Sequence, residues 1–200
     1  LVLFCFYILF IHRADAAIIS PWQVVPFYFF ILYIFATLTL LLIIKRYNNF
    51  NNITIFLISA HYLLSFSVAL IIYKIGYGFD SFIHQATVDL IDKMGVVDPK
   101  PFYYLGQYAL IEIIHKITAL PISWLDKLLV PVLAAIYLPL FIFNATAKLF
   151  KDKKTALLTA VILLILPFSF FIVTTPQNLA YLFLLFTIIL GLSAATSHEM

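Results

Sequence analysis

Long apolar runs separated by short polar turns dominate this chain. Residues 22–44, 53–73, 127–147, 155–173 and 178–195 are each almost wholly apolar, and runs of about 18–25 such residues are long enough to cross a bilayer as helices. Pro26 stands near the start of the first run, where a helix tolerates proline best. Pro131 and Pro139 fall inside the third, and membrane helices accept such prolines because neighbouring groups satisfy the freed carbonyls. Residues 1–11 are apolar but too short to span. They are either part of a spanning helix or the core of a signal peptide, since Ala14-Asp15-Ala16 fits the A-x-A cleavage pattern. The fold class expected is therefore all-α: a polytopic transmembrane helix bundle of about five to six spans. It forms a single transmembrane domain over residues 1–200, with both ends read as truncated.

One stretch breaks the pattern. Residues 74–126 form a connection of about 50 residues, and a loop that long is usually functional or disordered. Its Ile, Leu, Phe and Tyr content argues against disorder. Residues 81–94 read as an amphipathic helix, with Phe82, Ile83, Ala86, Leu90, Ile91 and Met94 on one face and Ser81, Gln85, Asp89, Asp92 and Lys93 on the other. Gly95 ends it, and Asp98-Pro99-Lys100-Pro101 reads as a rigid turn. Residues 102–120 form a second helix carrying Glu112, His115 and Lys116, with Glu112 and Lys116 in the favourable i,i+4 order. Both helices are expected to lie along the membrane interface.

Composition supports the bilayer. The chain is 64% hydrophobic and 10% charged, with a mean hydropathy of +1.09, against about 25% charge in soluble domains. The net charge of +3 carries no basic stripe interleaved with exposed aromatics, so nucleic acid is excluded as a partner. A single cysteine, Cys5, excludes an intrachain disulfide and a Cys-based metal site. Lys45 and Arg46 precede one turn, and Lys148, Lys151, Lys153 and Lys154 cluster at another. The positive-inside rule places loops 45–52 and 148–154 in the cytoplasm and loop 74–126 outside.

Candidate chemistry concentrates in that external loop. Asp80 stands at the junction between a span and the first loop helix, with His84 one turn later. A carboxylate at a membrane mouth can act as a general base or hold a cation; Asp is also a preferred N-cap for a helix starting at Ser81. Asp89 and Asp92 read as a solvated face, and Glu112, His115 and Lys116 as a surface ion-pair group. His61 lies mid-span, either functional or bonded to a neighbouring helix. Residues 174–178 form a short turn. No phosphate-cradling glycine loop, HExxH or GxSxG is present.

The run Gly76-Tyr77-Gly78-Phe79-Asp80-Ser81-Phe82-Ile83-His84-Gln85-Ala86, followed by Pro99-Lys100-Pro101-Phe102-Tyr103-Tyr104-Leu105-Gly106-Gln107-Tyr108, resembles the first external loop of the GT-C glycosyltransferases. Those include oligosaccharyltransferases, protein mannosyltransferases and aminoarabinose transferases. The resemblance implies a membrane enzyme that moves a sugar from a polyprenyl-phosphate donor to an acceptor on the external face. It implies Asp80 as the catalytic carboxylate and His84, Lys93, Lys100 and Gln107 as substrate-binding residues. It leaves open a divalent cation, Mg or Mn, on Asp80, which stands alone where the family motif often pairs two acids. Two other classes compete: a transporter or flippase of lipid-linked saccharide, and a membrane subunit without chemistry.

Overall fold

The computed structural model describes residues 1–46, 52–74, 76–97, 102–166 and 169–198. The described residues form eight α-helices, joined in places by single turns of 3-10 helix, and no strand. The helices are α1 (Val2–Ile11), α2 (Phe27–Arg46), α3 (Asn52–Ile72), α4 (Phe79–Met94), α5 (Leu105–Thr118), α6 (Ile122–Phe150), α7 (Lys153–Ile162) and α8 (Pro176–His198). Among them α2, α3, α6 and α8 are long and apolar enough to cross a membrane. The chain is an all-α membrane protein.

The fourth expected span, residues 155–173, is not one helix. It breaks into α7, a 3-10 turn at Leu163–Ile165 and another at Ser169–Ile172. The cause is local: Leu166 is extended (φ −71°, ψ 135°) and precedes Pro167, and a residue before proline is pushed out of the helical region. The segment still traverses the bundle. Its first turn lies beside the end of α2, where Lys154 Nζ donates to Lys45 O at 2.9 Å. Its far end reaches the start of α6, where Val130 N donates to Thr174 Oγ1 at 3.1 Å.

α6 is the central post. It packs against α3, α7 and α8 and continues through Pro131 and Pro139, both buried. Ala134, Ala135, Ala156 and Ala160 are fully buried and let α6 and α7 approach closely, which is how membrane helices gain contact when hydrophobic burial offers no drive. Tyr62 of α3 donates its hydroxyl to Ala160 O at 2.6 Å, satisfying a buried phenol. A second core joins α1 to α2 and α3 through Cys5, Leu9, Phe29, Leu64 and Ile72.

These contacts sort the chain into two ends. At one, the lysine end, Lys45 and Arg46 close α2, Lys148 lies in the last turn of α6, and α7 opens with Lys153 and Lys154. At the other, the loop end, Ala14 N donates to Ile72 O at 2.9 Å, Arg13 Nε donates to Ile71 O at 3.1 Å, Lys74 pairs with Asp15, and Lys127 Nζ donates to Lys74 O at 3.3 Å.

The loop helices differ in orientation from a soluble amphipathic pair. On α4 the apolar residues Ile83, Leu90 and Met94 face away from the protein, and Ile113 and Ile117 do so on α5. The faces turned inward hold His84, Thr87, Val88, Gln107, Tyr108 and Ile111. An apolar face without a protein partner is what an interfacial helix offers to lipid.

Candidate functional site

Two glycines shape the loop end. Gly76 and Gly78 have φ of 144° and 82°, a backbone that residues with a Cβ adopt poorly. A Cβ on Gly76 would also press within 3.0 Å of the Phe82 ring. The two residues turn the chain out of α3 and into α4. Gly78 is the N-cap of α4, which begins at Phe79. Asp80 therefore does not cap the helix; it sits in the first turn, where its charge complements the positive end of the helix dipole. Its side chain is exposed.

The expected substrate-binding residues separate. His84 is buried beneath α4, its Nδ1 2.7 Å from the Tyr108 hydroxyl and its ring edge-on to Tyr104. Gln107 is also buried, one position along α5, so the packing of α4 on α5 brings His84 and Gln107 into one region. Lys93 stands exposed in the last turn of α4, away from that region. Lys100 and the rest of the Asp-Pro-Lys-Pro turn lie outside the described residues. Asp92 is not merely solvated: it pairs with Lys116 of α5, and Lys116 also reaches Glu112 at 3.4 Å. The hydrogen bond that Lys116 donates to Asp92 holds the Asp92 carboxyl below its usual range, and the same bond holds the Lys116 ammonium above its own.

The residue that sequence reasoning passed over is Asp126. It read as the last residue of the loop, but α6 starts four residues earlier, at Ile122, and carries Asp126 inward. Its side chain is 2% exposed. Gln107 Nε2 donates to its Oδ1 at 3.4 Å, and Asp89 of α4 and Lys127 both act on it electrostatically. Gln107 Oε1 is buried with no hydrogen-bond partner among the described residues. The nearby Tyr108 phenol is pushed up by burial and drawn back by the Thr87 hydroxyl, so it stays neutral and able to donate. At 29 residues, α6 is about 44 Å long at 1.5 Å per residue. The hydrocarbon core is about 30 Å thick, so α6 is longer than one crossing requires.

A small cleft opens under the glycine turn. Its wall includes Ser81, Gln85, Asp126, Lys127 and Thr174, with Gly76 and Tyr77 at the lip. Leu70, Phe82 and Val173 complete the lining, so one lysine and one buried carboxylate share a mixed polar and apolar recess of about 20 Å³. No group of three His, Cys, Asp or Glu side chains gathers closely enough to hold a metal ion among the described residues. The donors around Asp80 do not build a divalent-cation site, and no step is derived through one.

The second polar locus is deep in the bundle. His61 of α3 bonds through Nε2 to Thr37 Oγ1 at 3.0 Å and stacks on Tyr33. Thr37 donates its one hydroxyl proton to Tyr33 O at 2.9 Å, so His61 Nε2 carries the proton it donates. Nδ1 is then an acceptor, buried and without a partner among the described residues. His61 lines an apolar groove of about 940 Å³ between α1, α2, α3 and α6.

The chain matches no protein-family model, no curated protein and no solved structure.

Proposed function

We propose that this protein is a membrane glycosyltransferase that moves a sugar from a polyprenyl-phosphate-linked donor to an acceptor on the external face, with the loop end as its reaction site. The observation that carries the reading is the cleft under the glycine turn. It brings a carboxylate, Asp126, and a lysine, Lys127, to one recess lined on one side by α4, and both loop helices carry exposed apolar residues. Those helices would rest on the outer leaflet and admit a lipid-borne donor from the side. Lys127 lies where it can balance the charge of the departing phosphate, a part that Lys93 is too remote to play. Asp80, exposed one residue before Ser81 of the wall, and Asp126, in the wall, are the two carboxylates available to the acceptor.

The orientation proposed puts the lysine end in the cytoplasm. It gathers six basic residues, Lys45, Arg46, Lys148, Lys151, Lys153 and Lys154, against Asp152, and basic loops are retained inside. The loop end mixes acids with bases and lacks that bias.

A transporter of lipid-linked saccharide is the second reading. It is favoured by His61, a buried ionisable group mid-span beside a lateral groove, since polar groups at mid-membrane mark transport pathways. The test uses the protein in proteoliposomes containing undecaprenyl-phosphate hexose. A glycosyltransferase releases undecaprenyl phosphate when acceptor is supplied. A transporter moves the intact donor between leaflets without consuming it. Leaflet exchange without donor consumption would overturn the enzyme reading.

A further inference from the structure

Resting on the glycosyltransferase reading, we propose that Asp126, and not Asp80, is the catalytic carboxylate that takes the acceptor's proton. Asp80 is exposed and is held by no side-chain partner among the described residues. A base so placed has no fixed direction. Asp126 is held from α5 by Gln107 Nε2 at 3.4 Å, is enclosed by α4, α5 and α6, and forms part of the cleft wall next to Lys127. A general base needs this kind of placement before its proton affinity matters.

The second observation is Gln107 itself. Its Oε1 is buried and accepts nothing among the described residues. A buried acceptor without a donor is costly, and native structures rarely keep one without a purpose. Replacing Gln107 by an apolar residue would remove that cost but leave Asp126 without an orienting partner. Gln107 is thus a positioning residue, retained for what its amide N–H does to Asp126.

In the step proposed, the acceptor hydroxyl oxygen bonds to the anomeric carbon of the donor sugar. The bond from that carbon to the phosphate oxygen breaks, and its electron pair leaves with the polyprenyl phosphate. The hydroxyl proton passes to the Asp126 carboxylate and from there to water at the cleft mouth. Lys127 balances the phosphate charge as it departs.

The experiment compares Asp126→Asn, Asp80→Asn and Asp152→Asn in proteoliposomes charged with undecaprenyl-phosphate hexose and acceptor. Asp126→Asn should lower kcat by at least about 10²-fold, the low end for loss of a general base, with its melting temperature near that of the native chain. Asp152→Asn, at the lysine end, should transfer normally, because Asn caps a helix about as well as Asp. Gln107→Leu should lower kcat with KM unchanged, because it disorients the base without touching donor binding. A second measurement needs no turnover: dicyclohexylcarbodiimide, which modifies carboxyls reached from an apolar phase, should label Asp126, and undecaprenyl phosphate should protect it. Normal transfer by Asp126→Asn, or a loss confined to Asp80→Asn, would overturn the assignment. If Asp126→Asn does not fold, an unlabelled or unprotected Asp126 overturns it. A native chain that consumes no donor removes the glycosyltransferase reading, and this inference with it.

Discussion

The two ends of the bundle handle charge in opposite ways. At the lysine end the charged groups are solvated. Asp152 is the only acid amid the basic cluster, and it is spent on structure: its carboxylate accepts from Lys154 N and Thr155 N at 3.1 and 3.0 Å and caps α7. At the loop end polar side chains go inward. His84, Thr87, Gln107 and Asp126 are all buried on the side of α4, α5 and α6 that a soluble protein would fill with aliphatic residues. Desolvating polar groups costs free energy unless each finds a partner. The contrast separates an end whose charged groups are solvated from one where a carboxylate and an imidazole are buried.

The largest effect expected breaks the comparison at the lysine end. With Cys5→Ala as background, Lys151→Cys and Lys93→Cys should differ on intact cells: an impermeant maleimide should label position 93 and spare 151. Replacing Lys148, Lys153 and Lys154 by Gln should erode that difference, because positive charge fixes orientation. Equal labelling of the two single cysteines in the unmodified loop background would overturn the orientation.

Much of this arrangement was legible in the sequence, and the misses have physical causes. Four spans follow from run length alone. The break after α7 follows from Pro167, whose effect on Leu166 a hydropathy count does not weigh. The two loop helices were visible as amphipathic periods, but the direction of their faces was not. Periodicity gives the angle between the faces of a helix and says nothing of which solvent each one meets. Asp126 was hidden for a related reason. Next to Lys127 and Trp124 it reads as loop edge, and only the seating of α5 on α6 through Tyr108, Ile111, Ile122 and Leu125 makes it interior. The burial of His84 was hidden for the same reason.

A smaller effect sharpens the comparison at the loop end. Tyr108→Phe keeps the ring and removes the hydroxyl that lies 2.7 Å from His84 Nδ1. The lost bond is buried, so solvent does not replace it. Leaving one partner of a buried bond unsatisfied costs about 1–3 kcal/mol, and the unfolding midpoint in detergent should fall accordingly. Tyr28→Phe serves as the reference, since that hydroxyl meets His12 Nε2 at 3.3 Å in an exposed setting and its loss should cost little. Equal shifts for the two would show that the loop end is no more tightly built than the surface.

The smallest effect concerns how α4 stays against α5. Asp92 joins Lys116, with His115 Nε2 at 3.9 Å, and Lys116 also reaches Glu112 at 3.4 Å. Its carboxyl is held low chiefly by the Lys116 hydrogen bond. A depressed carboxyl contributes its stabilisation above the ordinary aspartate pKa of about 3.9, and loses it as the pH falls through the folded value. Lys116 is raised by the same contact, so its contribution is whole below about pH 10.4 and fades as the pH climbs through its folded value. The clasp should therefore hold across the neutral range and loosen at both extremes. The groups are exposed, and surface pairs contribute little to global stability, so the readout has to be local. Spin labels at Met94 and Ile113, both on the outward faces of their helices, should give a narrow distance distribution near neutral pH that broadens below about pH 4. Asp92→Asn should give the broad distribution at every pH. A distribution that stays narrow in acid, or in Asp92→Asn, would mean that the apolar seam of Val88, Tyr108 and Ile111 fixes the two helices without the ion pair.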